Sequence, residues 1–98
     1  LVQGHIDEIG ICEKISESDG SWVFEFEHSG KNITVEKGSI TINGVSLTVV
    51  DSEINTFSVA IIPYTFEHTN FHTFTEGTKV NLEFDIVGKY VMKMQEMK

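Results

Sequence analysis

Hydrophobic and polar residues alternate along most of this chain with the period of two that is typical of half-buried β-strands. The alternation is clear in SWVFEFEH at 21–28, and it returns in TFSVAII at 56–62 and in GTKVNLEFDIVG at 77–88. Turn-forming residues separate these stretches at short intervals. The pattern predicts about six strands arranged as a small antiparallel sandwich or barrel. Helix is a minority, with one short helix starting at Thr65 and an amphipathic helix in the last stretch, KYVMKMQEMK.

The stretch GSITINGVSLTV at 38–49 predicts a β-hairpin, because Asn43-Gly44 suits a type I′ turn whose two central residues need positive φ. Such a turn pairs Ile42 with Val45 and continues outward along both strands. One face of the hairpin is then a core face, made of Ile40, Ile42, Val45, Leu47 and Val49. The other face carries four small neutral hydroxyls, those of Ser39, Thr41, Ser46 and Thr48.

Smaller features give further expectations. Gly10 is predicted to mark a bulge or bend in the first strand. His28 ends a strand beside a turn and is expected to be solvated. Cys12 is expected to be a small buried apolar group, and as a single cysteine it offers no internal disulfide.

The composition limits the kinds of macromolecule or surface that the chain is expected to bind. The chain has 98 residues, enough for one domain, with 40% hydrophobic residues and a formal net charge of −8. Its basic residues are all lysines, and this acidic balance argues against nucleic acid and against an anionic membrane surface. No apolar run is long enough for a membrane span, and no signal-peptide pattern is present, so a cytoplasmic protein is expected.

Spacing alone identifies little chemistry. His68 and His72 are four residues apart, but no third ligand lies nearby in the sequence, and no metal is expected. His5, beside Gly4, is either a general acid–base or a solvated terminal histidine. Glu83 and Asp85 alternate with the apolar residues of the last strand and fit an outer, solvated face. Lys37 precedes a turn, where a surface lysine is the ordinary interpretation.

Three motifs in order, KGSITINGVSLTVVD, IIPYTFEHTN and GTKVNLEFDIVGKY, make the chain resemble the riboflavin synthase family over essentially all of its length. Members of this family are tandem duplications of a six-stranded antiparallel Greek-key barrel. The opening LVQGHID and the serine at position 46 resemble the second half of that duplication. The resemblance therefore implies that residues 1–98 form one lumazine-binding barrel, equivalent to the C-terminal half of the full enzyme.

The resemblance also implies a reaction. The family dismutates two molecules of 6,7-dimethyl-8-ribityllumazine to riboflavin and a diaminopyrimidine, a transferase reaction without a metal or organic cofactor. It makes His5, Ser46 and Asp85 the candidate catalytic residues. The implied substrate-binding residues are Gly4, His5, Ile6, Lys37, Ser46, Leu47, Thr48, Ile62, Pro63, Tyr64, Thr65, Phe66 and Glu67. Tyr64 departs from the family pattern, in which a carboxylate can stand at this position.

The family's pocket forms between the first-half barrel of one subunit and the second-half barrel of a neighbour, in a homotrimer. A separate second half is accordingly expected to turn over poorly or not at all. Two alternatives use the same fold: a non-catalytic lumazine or flavin carrier, and an interaction module that contacts a protein through the hydroxyl face.

Overall fold

The computed structural model describes residues 6–84. The predicted C-terminal helix and the predicted site residues Gly4, His5 and Asp85 lie outside the described residues. Within them the prediction of six strands is confirmed: β1 (Glu8–Ser18), β2 (Ser21–Glu27), β3 (Ser39–Ile42), β4 (Val45–Ser52), β5 (Thr56–Ile61) and β6 (Lys79–Phe84). A short helix, α1 (Pro63–His68), and a 3-10 helix (Asn70–Thr73) lie between β5 and β6.

The strands close into an antiparallel barrel in the order β1-β2-β5-β4-β3-β6. Strands β3, β4 and β5 are successive neighbours, and β2 lies beside β5 after a long connection, which is the Greek-key arrangement. The predicted fold class is therefore confirmed. The longest connections run from β2 to β3 and from β5 to β6.

The β3–β4 hairpin has the predicted register, with Ile42 opposite Val45 and Ser39 opposite Thr48. Asn43 and Gly44 adopt φ values of 48° and 86°, as a type I′ turn requires. On the core face three of the five predicted residues are fully buried, and Val45 and Leu47 are half-buried against the core.

Phenylalanines dominate the packing inside the barrel. Phe24 and Phe26 of β2 stack with each other, and Phe26 stacks with Phe57 of β5. Phe71 and Phe74 come from the β5–β6 connection and meet the β2 rings edge-on. This connection therefore closes one end of the core with aromatic side chains, each of which buries a large apolar area.

The prediction that Gly10 marks a bulge in β1 is wrong. The register of β1 against β2 shifts between Cys12 and Lys14, which leaves Glu13 as the extra residue. The extra residue reverses which side chains face inward, so Ile15 packs against the core while Ile9 and Ile11 are exposed. Glycine suits position 10 for a different reason, because a Cβ atom there would lie 2.6 Å from the Leu82 Cδ1 atom.

The α1 helix begins at Pro63, two residues before the predicted Thr65 start. Proline suits the first helical position because its missing N–H would have no helical acceptor there. Among the described residues, no helix has the length and apolar character needed to cross a membrane.

Candidate functional site

The hydroxyl face of the hairpin, defined by Ser39, Thr41, Ser46 and Thr48, lies on the outside of the barrel. Ser39, Ser46 and Thr48 are exposed and Thr41 is half-buried. Ser46 pairs across the strands with Thr41, and Thr48 pairs with Ser39. The four side chains therefore form one compact patch of neutral donors and acceptors, which can bind an uncharged polar ligand.

Thr41 also pairs with Glu83 of β6 on its other side. Ser46, Thr41 and Glu83 thus form a polar row across three adjacent strands, which spans about 10 Å at ordinary strand spacing. Glu83 is half-buried rather than fully solvated as expected. The position of Glu83 beside Thr41 could not be predicted from the sequence, because it depends on the pairing of β3 with β6, two strands that are far apart in the sequence.

Lys37 is held beside the hydroxyl face by its backbone. Its N–H donates to the Val49 carbonyl at 2.9 Å, one residue from Thr48, and its side chain is exposed. Its φ is 68°, a conformation that non-glycine residues seldom adopt and that is often found at functional positions. The backbone of Lys37 is therefore fixed beside β4, while its side chain extends into solvent.

The segment 62–67 directly follows β5. Strands β4 and β5 pair from Val49–Val59 to Ser52–Phe57, so their pairing ends before Ser46 and Ile62 are reached. Ile62 is 58% exposed, and Leu47 is half-buried. The Phe66 N–H donates to the Ile62 carbonyl at 3.0 Å, which begins the helix that carries the rest of the segment.

Within α1 the predicted contact residues divide between the core and the surface. Phe66 is half-buried and packs against the core, and Thr65 is also half-buried. Pro63, Tyr64 and Glu67 are exposed. The structure therefore places Ser46 and Thr48 on the outer face of the hairpin and the Lys37 backbone against Val49, while α1 packs through Phe66 on Trp22 of β2.

Ile6 is placed differently from these residues. It is 55% exposed and lines a groove of about 640 Å³ with Ile9, Asn43, Gly44, Lys79, Asn81 and Glu83. Glu83 lines this groove and also pairs with Thr41 of the hydroxyl face, and the turn residues Asn43 and Gly44 line it close to Ser46. This groove therefore lies beside the hydroxyl face and is not formed by its four hydroxyls.

The expectation that His28 is solvated is wrong. The residue is 5% exposed, with its ring against Phe57 and Phe84. Its Nδ1 accepts a hydrogen bond from the Gly30 N–H at 3.2 Å and lies 3.5 Å from a Glu8 carboxylate oxygen. Burial lowers the pKa of His28 and outweighs the opposing effect of Glu8, so this imidazole is neutral at pH 7.

Glu8 connects β1 to the turn that follows β2. Its carboxylate accepts hydrogen bonds from the backbone N–H and hydroxyl of Ser29 and from the backbone N–H and side-chain amide of Asn32. Burial raises the pKa of this carboxyl, but the four donors outweigh it and lower the pKa to about 2. Glu8 is thus a structural anion, set apart from the hydroxyl face.

Cys12 is fully buried, as predicted, and burial raises the pKa of its thiol to about 11. A thiol in this state is a poor nucleophile near neutral pH. Among residues 6–84, no group of three or more His, Cys, Asp or Glu side chains has the geometry to hold a metal ion.

Comparison with known proteins supports the interpretation of the fold. Residues 3–85 match the family described as lumazine binding domain. The riboflavin synthase of Actinobacillus pleuropneumoniae is 46% identical over 93 residues, which cover 93% of this chain and 43% of that protein. The riboflavin synthase of Bacillus subtilis is 36% identical over 95 residues, covering 95% of this chain and 44% of that protein.

A third relative, the riboflavin synthase of Mycobacterium tuberculosis strain H37Rv, is 40% identical over 99 residues, which cover 96% of this chain and 49% of that protein. The chain therefore spans a little under half the length of the curated relatives that it matches. With the family match over residues 3–85 and a closed Greek-key barrel, the chain belongs to the lumazine binding domain family.

Proposed function

We propose that this chain is a riboflavin synthase domain that binds one molecule of 6,7-dimethyl-8-ribityllumazine on its hydroxyl face. The observation that carries the proposal is the exposed patch of neutral hydroxyls around Ser46 and Thr48, in a chain that aligns with riboflavin synthases over 93% of its length. The ligand has a neutral bicyclic ring and a polyhydroxy chain. Hydroxyls complement such groups without the desolvation cost of an ionised side chain.

Ser46 and Thr48 hydrogen-bond the ring or the start of the ribityl chain in this proposal, and Lys37 lies on the ribityl side. Ile62 supplies apolar contact, and the residues from Pro63 to Glu67 border the ligand. The side chain of Leu47 packs against the core, so this residue joins the proposed site only through its backbone between Ser46 and Thr48. Ile6 extends the site toward the β1–β6 groove. Gly4 joins the site at the start of the chain.

The proposed chemistry is a dismutation in which one lumazine donates a four-carbon unit to the other. It requires removal of a proton from a methyl group and addition of a nucleophile to the partner ring, so orientation of two substrates and placed proton carriers are the main demands. We assign His5 and Asp85 as proton carriers and Ser46 as the hydroxyl that holds the reacting ring. No metal or organic cofactor enters this scheme.

We further propose that the chain is equivalent to the C-terminal half of the full enzyme, which is a homotrimer. Its partner is the first-half barrel of a neighbouring subunit. Two observations support a partner surface: the hydroxyl face is open, and three isoleucines of the β1 region, Ile6, Ile9 and Ile11, are 55%, 55% and 39% exposed. Contiguous exposed apolar side chains commonly mark protein contact surfaces.

The binding step is tested by titrating the chain with 6,7-dimethyl-8-ribityllumazine and following its fluorescence. Loss of one hydrogen bond in Ser46→Ala should weaken binding about five-fold, within the range measured for single neutral bonds. Ser16→Ala, an exposed serine of β1 outside the hydroxyl face, is the matched control and should bind like the unaltered chain. Equal affinities for all three proteins would reject Ser46 as a ligand contact.

Turnover is tested by watching for flavin absorbance after lumazine is added. The isolated chain is expected to convert the substrate slowly or not at all, because the first-half surface is missing. Adding a first-half barrel should restore riboflavin formation. Tight chromophore binding with no turnover in the reconstituted pair would instead favour a non-catalytic carrier.

A further inference from the structure

The connection from β2 to β3 begins with a short strap, residues 29–33, that is attached to the barrel through side chains. None of its five residues is buried. The amide N–H groups of residues 29–32 all donate to side-chain acceptors, at distances between 2.9 and 3.2 Å. Three of these four bonds end on only two side chains, those of Glu8 and His28. The strap therefore depends on Glu8 and His28 rather than on apolar packing of its own.

The two ends of the connection are fixed independently of these two side chains. The Ser52 hydroxyl donates to the Thr34 carbonyl at 2.9 Å, just beyond the strap. Further along, the Lys37 N–H donates to the Val49 carbonyl at 2.9 Å. Before the strap, the backbone N–H of His28 donates to a carbonyl of the β4–β5 turn at 2.9 Å. Loss of the side-chain contacts therefore releases the strap alone.

The contacts of the buried His28 ring determine where it can take up a proton. Its Nδ1 atom accepts from the Gly30 N–H, so Nδ1 carries no hydrogen and the hydrogen of the neutral ring lies on Nε2. The Nε2 atom is buried and has no hydrogen-bond partner among the residues that the structure describes. From β5 and β6 the ring meets Phe57 and Phe84, which carry no charge. A proton can therefore add only at Nδ1, the atom that holds the strap.

Protonation of Nδ1 exchanges its hydrogen-bond partner. A protonated Nδ1 is a donor, so it can no longer accept from the Gly30 N–H. Among residues 6–84 the charged group that acts on the ring is Glu8 of β1, whose Oε2 atom lies 3.5 Å from Nδ1. That oxygen already accepts two bonds from Asn32, from its backbone N–H at 3.1 Å and its side-chain amide at 3.0 Å. A single proton thus removes the bond to Gly30 and makes His28 compete with Asn32 for Glu8.

The charged ring is more stable with the strap open than with it closed. Burial opposes the charge on His28 more than Glu8 favours it, so the pKa of His28 lies below its ordinary value of 6.5. The Nε2–H group can also bond to water only when the ring is exposed. Above pH 6.5 the ring is neutral in both states and opening does not depend on pH. As the pH falls below 6.5, the open state takes up the proton first and becomes more populated.

We propose that His28 is an acid-sensitive latch, in which proton uptake at Nδ1 releases the strap while the six strands of the barrel stay paired. The barrel remains closed because the strap contributes no side chain to the hydrophobic core. Acid thus changes the surface beside β1 and β2 reversibly, without unfolding the domain. The latch does not depend on the proposed function, since none of its residues belongs to the hydroxyl face.

The experiment follows amide hydrogen exchange of the whole chain by NMR between pH 7.5 and pH 5, with rates corrected for the intrinsic effect of pH. Protection of the Gly30 and Asn32 amides should be constant above pH 6.5. It should fall about ten-fold between pH 6.5 and pH 5, within the limit of ten-fold per pH unit that one proton sets. Protection should stop falling at the pH at which the His28 ring titrates. Amides of paired strand residues, such as Phe26 and Val59, should keep their protection.

Two variants of His28 separate its roles. In His28→Asn the side-chain oxygen can accept from the Gly30 N–H as in an Asx turn, and it takes up no proton, so strap protection should be independent of pH. His28→Phe keeps a buried ring but has no acceptor, so strap protection should be about ten-fold lower at pH 7.5, as for loss of one hydrogen bond, and also independent of pH. His72→Gln, which removes an exposed histidine, is the matched control and should behave like the unaltered chain.

Several outcomes would overturn the latch. Strap protection that stays constant from pH 7.5 to pH 5 in the unaltered chain rejects it, and so does an unchanged pH dependence in His28→Asn. Equal loss of protection in the strap and in the strands shows that acid unfolds the whole domain, which also rejects a local latch. If neither variant folds, the ring ¹⁵N shifts of the unaltered chain at pH 7.5 decide. A hydrogen on Nε2 of His28 supports the latch, and a hydrogen on Nδ1 rejects it.

Discussion

Replacing Glu8 with glutamine tests whether one buried anion fixes the connection that follows β2. The side chain of Glu8 is 5% exposed, and its two oxygens accept four hydrogen bonds from Ser29 and Asn32. Glutamine has nearly the same shape, but its NH₂ group faces donors and cannot accept from them. In Glu8→Gln at least one of the two backbone N–H groups loses its acceptor or the turn moves.

The magnitude follows from the pKa of Glu8, which falls from 4.5 in the unfolded chain to about 2 in the folded one. A difference of this size corresponds to at most about 3 kcal/mol of folding free energy. Ser29 is exposed, so solvent screening reduces the value, and we expect about 2 kcal/mol at pH 7. For a domain of this length that lowers the melting temperature by about 10 °C.

The sign of the pH dependence is fixed by the direction of the pKa change. The contribution of Glu8 is fully present above pH 4.5 and is lost as the pH falls toward 2, because the unfolded carboxyl takes up its proton first. Urea unfolding of the unaltered chain and of Glu8→Gln, repeated between pH 7 and pH 2, measures the difference. The two stabilities should converge below pH 4.5.

The matched control is Glu13→Gln, an exposed glutamate of the same strand, which should change stability by less than about 0.5 kcal/mol. His28 adds a further pH dependence in both proteins, and because the Glu8 carboxylate 3.5 Å away raises its pKa, that pKa should fall further in Glu8→Gln. Burial lowers its pKa, so stability present above pH 6.5 is lost as the pH falls through the folded-state value. The Glu8 contribution is therefore evaluated below pH 4.5. A stability difference between unaltered chain and Glu8→Gln that stays constant from pH 7 to pH 2 would refute the reasoning.

Three further predictions concern the turn, the first strand and the ligand. Asn43 combines a positive φ with an Oδ1 acceptor 2.7 Å from the Asn81 N–H. Both variants lose the hydrogen bond, but only alanine is strained by the positive φ. Asn43→Gly should therefore lower the free energy of unfolding by about 1 kcal/mol and Asn43→Ala by about 2–3 kcal/mol, measured by urea unfolding. Equal losses in the two variants would contradict a separate contribution from φ. Gly10→Ala, whose Cβ would meet Leu82, should lose about 2 kcal/mol, and full stability would show that Leu82 moves aside easily. The net charge of −8 should make the 5′-phosphate of riboflavin bind more weakly than riboflavin. The difference between the two affinities should become smaller as salt is added to the titration. An affinity difference that does not change with salt would exclude this charge effect.

The parts of the fold that depend on neighbours in sequence could be predicted. The Asn43-Gly44 turn and the alternation on either side of it determine the β3–β4 register, because both signals lie within a dozen residues. The same holds for the inward faces of β2 and β6. Burial of His28 could not be predicted in this way. It depends on Phe57 and Phe84, which are distant in the sequence and lie against the imidazole ring only after β5 and β6 have joined the barrel.

In the candidate site, too, some residues could be predicted from the local sequence and others could not. Ser46 and Thr48 follow from the hairpin pattern, which places them on the face opposite the core. Glu83 enters the same polar row only because β6 pairs with β3 and closes the barrel, a contact of residues about forty positions apart. The alternation in β6 correctly predicts that Glu83 lies on the outer surface of the barrel. It does not predict that this part of the surface is a groove, which Glu83 lines.

The position of the site on the outer wall has a consequence for its chemistry. Hydrogen bonds from exposed serine and threonine hydroxyls compete with water, so each adds little affinity until the surface is covered. The barrel interior cannot cover it, since phenylalanines fill that space. A second protein surface over the hydroxyl face would exclude water, strengthen the hydrogen bonds of Ser46 and Thr48 and hold a second substrate against the first. Under the proposed function a partner covers the open face and the exposed isoleucines of β1, and binding by this chain alone is therefore expected to be weak.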